Sequence, residues 1–296
     1  MKKKLLFHGL CCCIQPLYSQ INFGTMRVGF KDSVTCGAFT FIPLYSTAQQ
    51  IAPYVAKRSK EKALQWQELS PKTSADVHVL TVDNNSSDTV LIPVGTAIAG
   101  GYQDRVVAAS VLLPPRSKGN YITTFCIEKG RWGGRKKPLK TSTTVDGILK
   151  QLVITTNKQT PIWQYITDLY QAKGLKADVQ PYLAVKPVWQ NIPPCFSTIL
   201  VVENKHRDSL LGWAVSSNGQ FVTAEAFQSP VLYQQVSTST VVSLLEYTTQ
   251  TNKTNLNRTT ADALNNLFST VLQSSFLQQY GKGYYQGNAL FHLICY

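Results

Sequence analysis

Apolar and polar residues alternate over 21–44, a pattern that predicts one or two strands ending at Pro43. From 46 to 62 the apolar residues Ala48, Ile51, Tyr54 and Val55 recur at near-helical spacing. Lys57, Arg58, Lys60 and Lys62 then close the segment, where cations complement the negative end of a helix. Strand patterning dominates 75–127. Val77 to Val82 alternate, 83–88 (Asp-Asn-Asn-Ser-Ser-Asp) is a turn, and Val90 to Ile92 reads as a short buried strand. Val106 to Leu113 and Tyr121 to Ile127 read as a hairpin around the turn formers at 114–120. Pairing Leu113 with Tyr121 sets Arg105 opposite Lys129, with Gln103 near Arg131 and with Asp104 beside Glu128 on the other face.

Helical periodicity follows at 144–157 and 161–174, with Pro161 in a first turn and Gly174 as the stop. Thr198 to Glu203 is rich in β-branched residues and reads as a strand. Leu211 to Ser216 and Phe221 to Phe227 flank Asn218-Gly219, the strongest hairpin signal in the chain. The stretch 230–278 reads as two helices and Ala289 to Cys295 as a last strand. The fold class is therefore α+β, an antiparallel β-rich core with hairpins, flanked by helices. Residues 21–296 form one domain, and 175–197, with Pro181, Pro187, Pro193 and Pro194, marks where it would divide into two lobes.

The first twenty residues change the picture. Lys2, Lys3 and Lys4 precede an apolar run from Leu5 to Ile14, then Pro16 and the small Ser19. That order predicts a signal peptide over 1–20, a mature chain beginning near Gln20, and a secreted or periplasmic protein. A lipid-modified cysteine among Cys11, Cys12 and Cys13 is the less favoured variant, because the apolar run before them is short. No later window approaches the roughly 18 apolar residues of a membrane span, so no integral membrane segment is expected after the signal. The four remaining cysteines, Cys36, Cys126, Cys195 and Cys295, lack paired metal spacing; an oxidising compartment permits disulfides, but scattered cysteines are more often small buried hydrophobes.

The net charge is +13, or +10 without the three signal lysines, which favours anionic partners. No phosphate-binding loop, dinucleotide fingerprint, paired-histidine helix or nucleophile-elbow serine is present, so neither a cofactor nor a metal is expected. Charge, amide and ring surface concentrate instead in Gly95 to Arg105 and Cys126 to Trp132. There Gln103, Arg105, Glu128, Arg131 and Trp132 could bind a small anionic ligand, arginine by paired hydrogen bonds and tryptophan by stacking. The same residues suit a structural Arg–Glu pair with Trp132 in the core.

These segments carry a resemblance. Gly95, Gly100, Gln103 and Arg105, followed by Cys126, Glu128, Gly130, Arg131 and Trp132, resemble the ARG-and-rhodanese-phosphatase-superfamily-associated protein domain family. Its pattern runs Gly-Glu-x-x-x-Gly-x-x-Gln-x-Arg and later Cys-x-Glu-x-Gly-Arg-Trp. Thr96 stands where that pattern has its acidic residue, Tyr102 where lysine is usual and Asp104 where asparagine is usual. Gly212 to Val215 and Glu225 to Phe227 are similar to a later family segment, so the resemblance spans most of 60–250. It implies recognition or processing of ADP-ribose-like nucleotides.

The functional expectation is recognition of a small anionic ligand, nucleotide- or phosphosugar-like, at Gln103, Arg105, Glu128, Arg131 and Trp132. The first alternative is a hydrolase or transferase on an ADP-ribose-like or glycan substrate, with Glu128 as catalytic acid/base and Arg105 or Arg131 stabilising charge. The second is nucleic-acid binding through the basic runs 57–62 and 129–140. Aromatic residues do not interleave with those runs as a stacking platform requires, which disfavours it.

Overall fold

The computed structural model describes residues 26–47, 63–69, 78–131, 137–187, 192–251, 281–286 and 289–295. The described residues fold as a mixed α+β structure of antiparallel sheets and five α-helices. A seven-stranded sheet contains β1 (Met26–Val28), β2 (Val34–Cys36), β3 (Phe39–Ser46), β14 (Leu210–Ser217), β15 (Gln220–Phe227), β16 (Gly281–Gln286) and β17 (Ala289–Cys295). Its order is β1-β3-β14-β15-β17-β16, with β2 also on β3.

The second sheet curls into a nearly closed six-stranded barrel. It holds β4 (Leu64–Glu68), β5 (Val79–Asn84), β7 (Thr96–Gly101), β8 (Arg105–Val107), β10 (Asn120–Cys126) and β12 (Lys137–Thr144), in the order β12-β7-β8-β10-β5-β4. Trp66 on β4 donates from Nε1 to Thr141 Oγ1 on β12 at 3.1 Å, tying the two end strands together. Two short ladders complete the strands: β6 (Val90–Ile92) with β9 (Val111–Leu113), and β11 (Glu128–Lys129) with β13 (Gln180–Pro181).

The pleat explains how barrel and sheet share a core. Ile98, Val107 and Ile122 point into the barrel with Trp66, Leu80 and Val82. Their neighbours Ala97, Val106 and Phe125 face the other way, into the main core under the large sheet. That core is roofed by α1 (Gly147–Thr156), α2 (Gln159–Ala172), α3 (Tyr182–Val185), α4 (Cys195–Lys205) and α5 (Pro230–Thr251), whose Leu149, Ile162, Tyr182, Ile199 and Val241 all enter it. Each such side chain contributes about 1.5–3 kcal/mol on burial. Asp146 caps α1, accepting from the amides of Ile148 and Leu149, and Gly174 ends α2 with φ +66°. Among the described residues no helix is long and apolar enough to cross a membrane.

Several expectations hold. The two helices after residue 144, the Asn218-Gly219 hairpin (φ +51° and +74°) and the last strand are present. Others are corrected. Pro43 does not end its strand: β3 runs on to Ser46. Its carbonyl accepts from Gly29 N, so its missing N–H faces the gap between β1 and β2, where no ladder needs it. Thr198 to Glu203 is helix α4, not a strand. Pro193 and Pro194 open it, a place that tolerates proline, and Ile199 anchors it, which overrides the β-branched composition.

The 106–113 strand is two pieces. At Ser110 the chain turns inward, so β9 leaves the barrel and pairs β6 instead of β10. The expected hairpin register fails with it: Arg105 faces Cys126, not Lys129. Cys36 and Cys195 are bridged by a disulfide from β2 to α4, with Cα atoms 5.5 Å apart, while Cys126 and Cys295 are buried free thiols. The helix expected over 46–62, the later part of 230–278 and the signal segment lie outside the described residues.

Candidate functional site

The first motif forms the turn from β7 to β8. Gly100 has φ +108°, and a Cβ there would collide with the Pro138 carbonyl on β12, so only glycine lets the two strands close up. Gly130 has φ +88° and meets the Asp178 carbonyl in the same way, which fixes the turn after β11. The β8–β10 pairing, with Arg105 opposite Cys126 and Ile127 N donating to the Asp104 carbonyl at 2.9 Å, brings the β7–β8 turn and the 126–131 segment together.

Three carboxylates then hold the turn's amides. Asp104 Oδ1 accepts from Gly100 N at 2.8 Å, Glu68 Oε1 from Tyr102 N at 2.7 Å, and Glu128 Oε2 from Asp104 N at 3.0 Å. Two guanidinium groups answer them. Arg131 Nη2 lies 2.6 Å from Glu128 Oε2 and 3.7 Å from Asp104 Oδ1, while its Nη1 donates to the Gly101 carbonyl at 3.1 Å. Arg105 Nη1 donates to the Gln103 carbonyl at 2.9 Å, and its Nη2 is 3.9 Å from Glu68 Oε1. Gln103 closes the clasp: Nε2 donates to the Glu128 carbonyl at 3.0 Å, and Oε1 accepts from the Cys126 thiol at 3.0 Å.

Gln103, Arg105, Glu128 and Arg131 are thus brought together, and Trp132 lies outside the described residues. Glu128 is buried, and its carboxylate is engaged by Arg131 and the Asp104 amide. Arg131 and Asp104 keep side-chain exposures of 17% and 14%, against 3% for Arg105 and 5% for Glu68. Burial raises the Asp104 pKa and neighbouring Glu128 adds to this, against the Gly100 amide. Burial also raises that of the Cys126 thiol. The hydrogen bond to Glu128 raises that of Arg131. Arg105 Nε, Arg131 Nε and Glu68 Oε2 are buried with no partner among the described residues.

Sequence reasoning missed Glu68, a charge ending a strand two motifs away. It also missed Gln159, whose side chain accepts from Cys126 N and donates to Cys126 O at 2.8 Å each, as a neighbouring strand would. Nor did it find a second polar cluster deep in the core. There Lys150 Nζ contacts both oxygens of Glu225, at 2.7 and 2.6 Å, and Glu225 Oε1 lies 3.0 Å from His292 Nε2. His292 Nδ1 is 2.7 Å from Ser110 Oγ, which accepts from Val94 N.

A carboxylate only accepts, so Nε2 carries the proton and the bare Nδ1 accepts from the Ser110 hydroxyl. His292 stacks on Phe227 at 4.1 Å, and burial lowers its pKa despite Glu225, keeping it neutral. Burial pushes the Glu225 pKa up, but Lys150 and His292 outweigh it and hold the carboxyl at about 2. The order serine, histidine, carboxylate is that of a nucleophile and its base, yet all four residues are buried and both Glu225 oxygens are committed to Lys150.

No curated protein and no solved structure matches the chain. The family model of the ARG and Rhodanese-Phosphatase-superfamily-associated Protein domain matches residues 27–287, a span that contains the clasp, the barrel and most of the large sheet. The chain belongs to that family.

Proposed function

We propose that the protein is an exported binding protein that recognises a small ligand bearing phosphate or carboxylate oxygens at the Gln103–Arg105–Glu128–Arg131 clasp. The observation that carries this reading is the pair of buried guanidinium donors, Arg105 Nε and Arg131 Nε, that have no partner among the described residues. A buried donor left unpaired costs about 1–3 kcal/mol, and acceptor oxygens on a ligand would recover it. Arg131, the more open of the two arginines, is the side of entry. Three carboxylates against two guanidinium groups give the clasp no excess positive charge, so affinity rests on hydrogen bonds, with the basic surface only steering. Binding should therefore strengthen as pH falls and Asp104, with its raised pKa, takes up a proton.

Recognition is favoured over catalysis because Glu128 Oε2 is already taken by Arg131 and the Asp104 amide, which ties this carboxylate to holding the clasp. Of the basic runs, 57–62 lies outside the described residues, and Lys129 Nζ is bonded to Thr167 Oγ1 at 3.2 Å. Export is supported by the Cys36–Cys195 disulfide, a bond that persists in oxidising compartments.

Thermal melting with ADP-ribose, nucleotides, phosphorylated sugars and acidic glycans tests the ligand. One of these should raise Tm, and Arg131→Ala should weaken its binding about tenfold or more. If none shifts Tm, the clasp is structural only. N-terminal sequencing from the native host tests export: a mature end near Gln20 is expected, and an intact Met1 in a soluble cytoplasmic fraction would refute it.

A further inference from the structure

Where α4 turns into β14 and α5 begins beside it, a polar cavity of 290 Å³ opens. Glu203 and Asn204 line it from α4, Arg207 from the turn, and Tyr233, Gln234 and Ser237 from α5. Tyr233 lines it, with Trp213 behind, and the two are 1% and 0% exposed. Trp213 Nε1 donates to Tyr233 Oη at 2.8 Å and to Glu203 Oε1 at 3.3 Å, and the Tyr233 hydroxyl donates to that same Glu203 oxygen. One carboxylate oxygen is thereby pinned by two neutral donors, while Oε2 has no partner among the described residues. No cation among them lies within ion-pair distance of Glu203, and burial raises its pKa against those two hydrogen bonds.

Across the cavity Arg207 is fixed by a reciprocal pair. Its Nε donates to Gln234 Oε1 at 3.3 Å, and Gln234 Nε2 donates to the Arg207 carbonyl at 2.7 Å. That leaves the two Nη groups with no partner among the described residues. A half-buried carboxylate with no counter-charge among the described residues and a held guanidinium with its outer edge open line one small cavity. An occupant that satisfies both must carry a cation at one end and an anion at the other.

We infer that this cavity binds a free amino acid, its ammonium on Glu203 Oε2 and its carboxylate on the Nη edge of Arg207. The volume amounts to about ten waters at roughly 30 Å³ each, enough for an amino acid and too small for a dinucleotide. Asn204 and Ser237 offer further hydrogen bonds to a polar side chain. The inference is independent of the clasp, whose residues lie at one rim of the barrel.

The test is thermal melting of the full chain with each of the twenty amino acids at millimolar concentration, then calorimetry on whichever raises Tm most. At least one should bind. Glu203→Gln keeps an acceptor for Tyr233 and Trp213 but removes the charge, and should weaken binding about ten- to a hundredfold, as should Arg207→Ala. The deaminated analogue of the bound amino acid should fail to bind the wild-type protein. No shift with any amino acid, unchanged affinity in either variant, or equal binding of the deaminated acid each overturns the inference. Should Glu203→Gln not fold, Arg207→Ala carries the test, because that side chain is exposed.

Discussion

The chain buries two polar clusters that solve the same electrostatic problem to different degrees. In the core, Lys150, Glu225, His292 and Ser110 satisfy one another completely: both carboxylate oxygens, both ring nitrogens, the ammonium and the hydroxyl have partners. At the barrel rim, the clasp holds its turn as firmly, yet leaves Arg105 Nε, Arg131 Nε and Glu68 Oε2 without partners among the described residues. A closed network rigidifies and has nothing left for a ligand, whereas an open one keeps donors in reserve. Similar residue types therefore mark scaffold in one place and a candidate site in the other, and satisfaction rather than composition separates them.

The largest expected effect breaks the closed network. Lys150→Met strands the Glu225 carboxylate among apolar residues and should cost about 3–5 kcal/mol of stability in urea unfolding. Adding Glu225→Gln, which keeps the acceptor for His292, should recover much of that loss. If the double variant is as unstable as the two single losses added together, the pair is not coupled as the distances indicate.

Acid sharpens the comparison next. The folded carboxyl of Glu225 titrates at about 2 against an ordinary 4.5, so its contribution, about 3 kcal/mol, is intact above pH 4.5 and is lost as pH falls towards 2. His292, with its lowered pKa, acts in the same direction, costing stability as pH falls below its ordinary 6.5. Glu246 opposes them. Burial, with Asp146 nearby, raises it to about 7 from 4.5, so its contribution is present below 4.5 and lost as pH rises through 7. Stability should thus change little between pH 7 and 4.5 and drop below 4.5. Glu246→Gln, still accepting from Gly147 N, should be more stable than wild type above pH 7 by about 1–3 kcal/mol and should lose stability from pH 6.5 downward. A wild-type curve that rises steadily to pH 3 would contradict these assignments.

The open cluster should respond less. Arg131→Met removes the ion pair to Glu128, but Arg131 is 17% exposed and Glu128 keeps the Asp104 amide. A loss of about 1–2 kcal/mol is expected in the same urea assay, well below that of Lys150→Met. Equal losses would mean that the clasp is as integral to the core as the closed network.

The sequence exposes the clasp and hides the network for a physical reason. Gln103, Arg105, Glu128 and Arg131 sit on neighbouring strand ends within thirty positions, so even the wrong register brings them together. Ser110 and His292 are 182 residues apart, a contact that no local pattern encodes. Lys150 reads as a polar position of α1 although it is buried, and His292 reads as an interruption in an apolar strand. The break between β8 and β9 had a local trace, the polar Ser110 inside an apolar run, but its cause is the distant Val94 amide. Helix α4 likewise announced itself through Pro193 and Pro194, against the β-branched residues that follow. The α+β class, the Asn218-Gly219 turn and the first two helices rest on local signals and were legible.

The smallest effect separates the clusters by motion rather than stability. Cys126 belongs to the clasp, donating to Gln103 Oε1, and Cys295 lies three residues from His292 on β17. Both thiols are buried and unpaired, and burial raises both pKa values, that of Cys295 to about 12. Neither should react quickly in the native state, because the thiolate is scarce and access requires local opening. A cluster with unpaired donors loses less when it opens than one in which every hydrogen bond must break. Cys126 should therefore be alkylated before Cys295 when native protein is exposed to a maleimide and the modified peptides are followed by mass spectrometry. Cys126→Ser, whose hydroxyl can still donate to Gln103, should change stability by under about 1 kcal/mol. If Cys295 reacts first, the rim cluster is the more rigid of the two, and its unpaired donors are not a sign of a site held open.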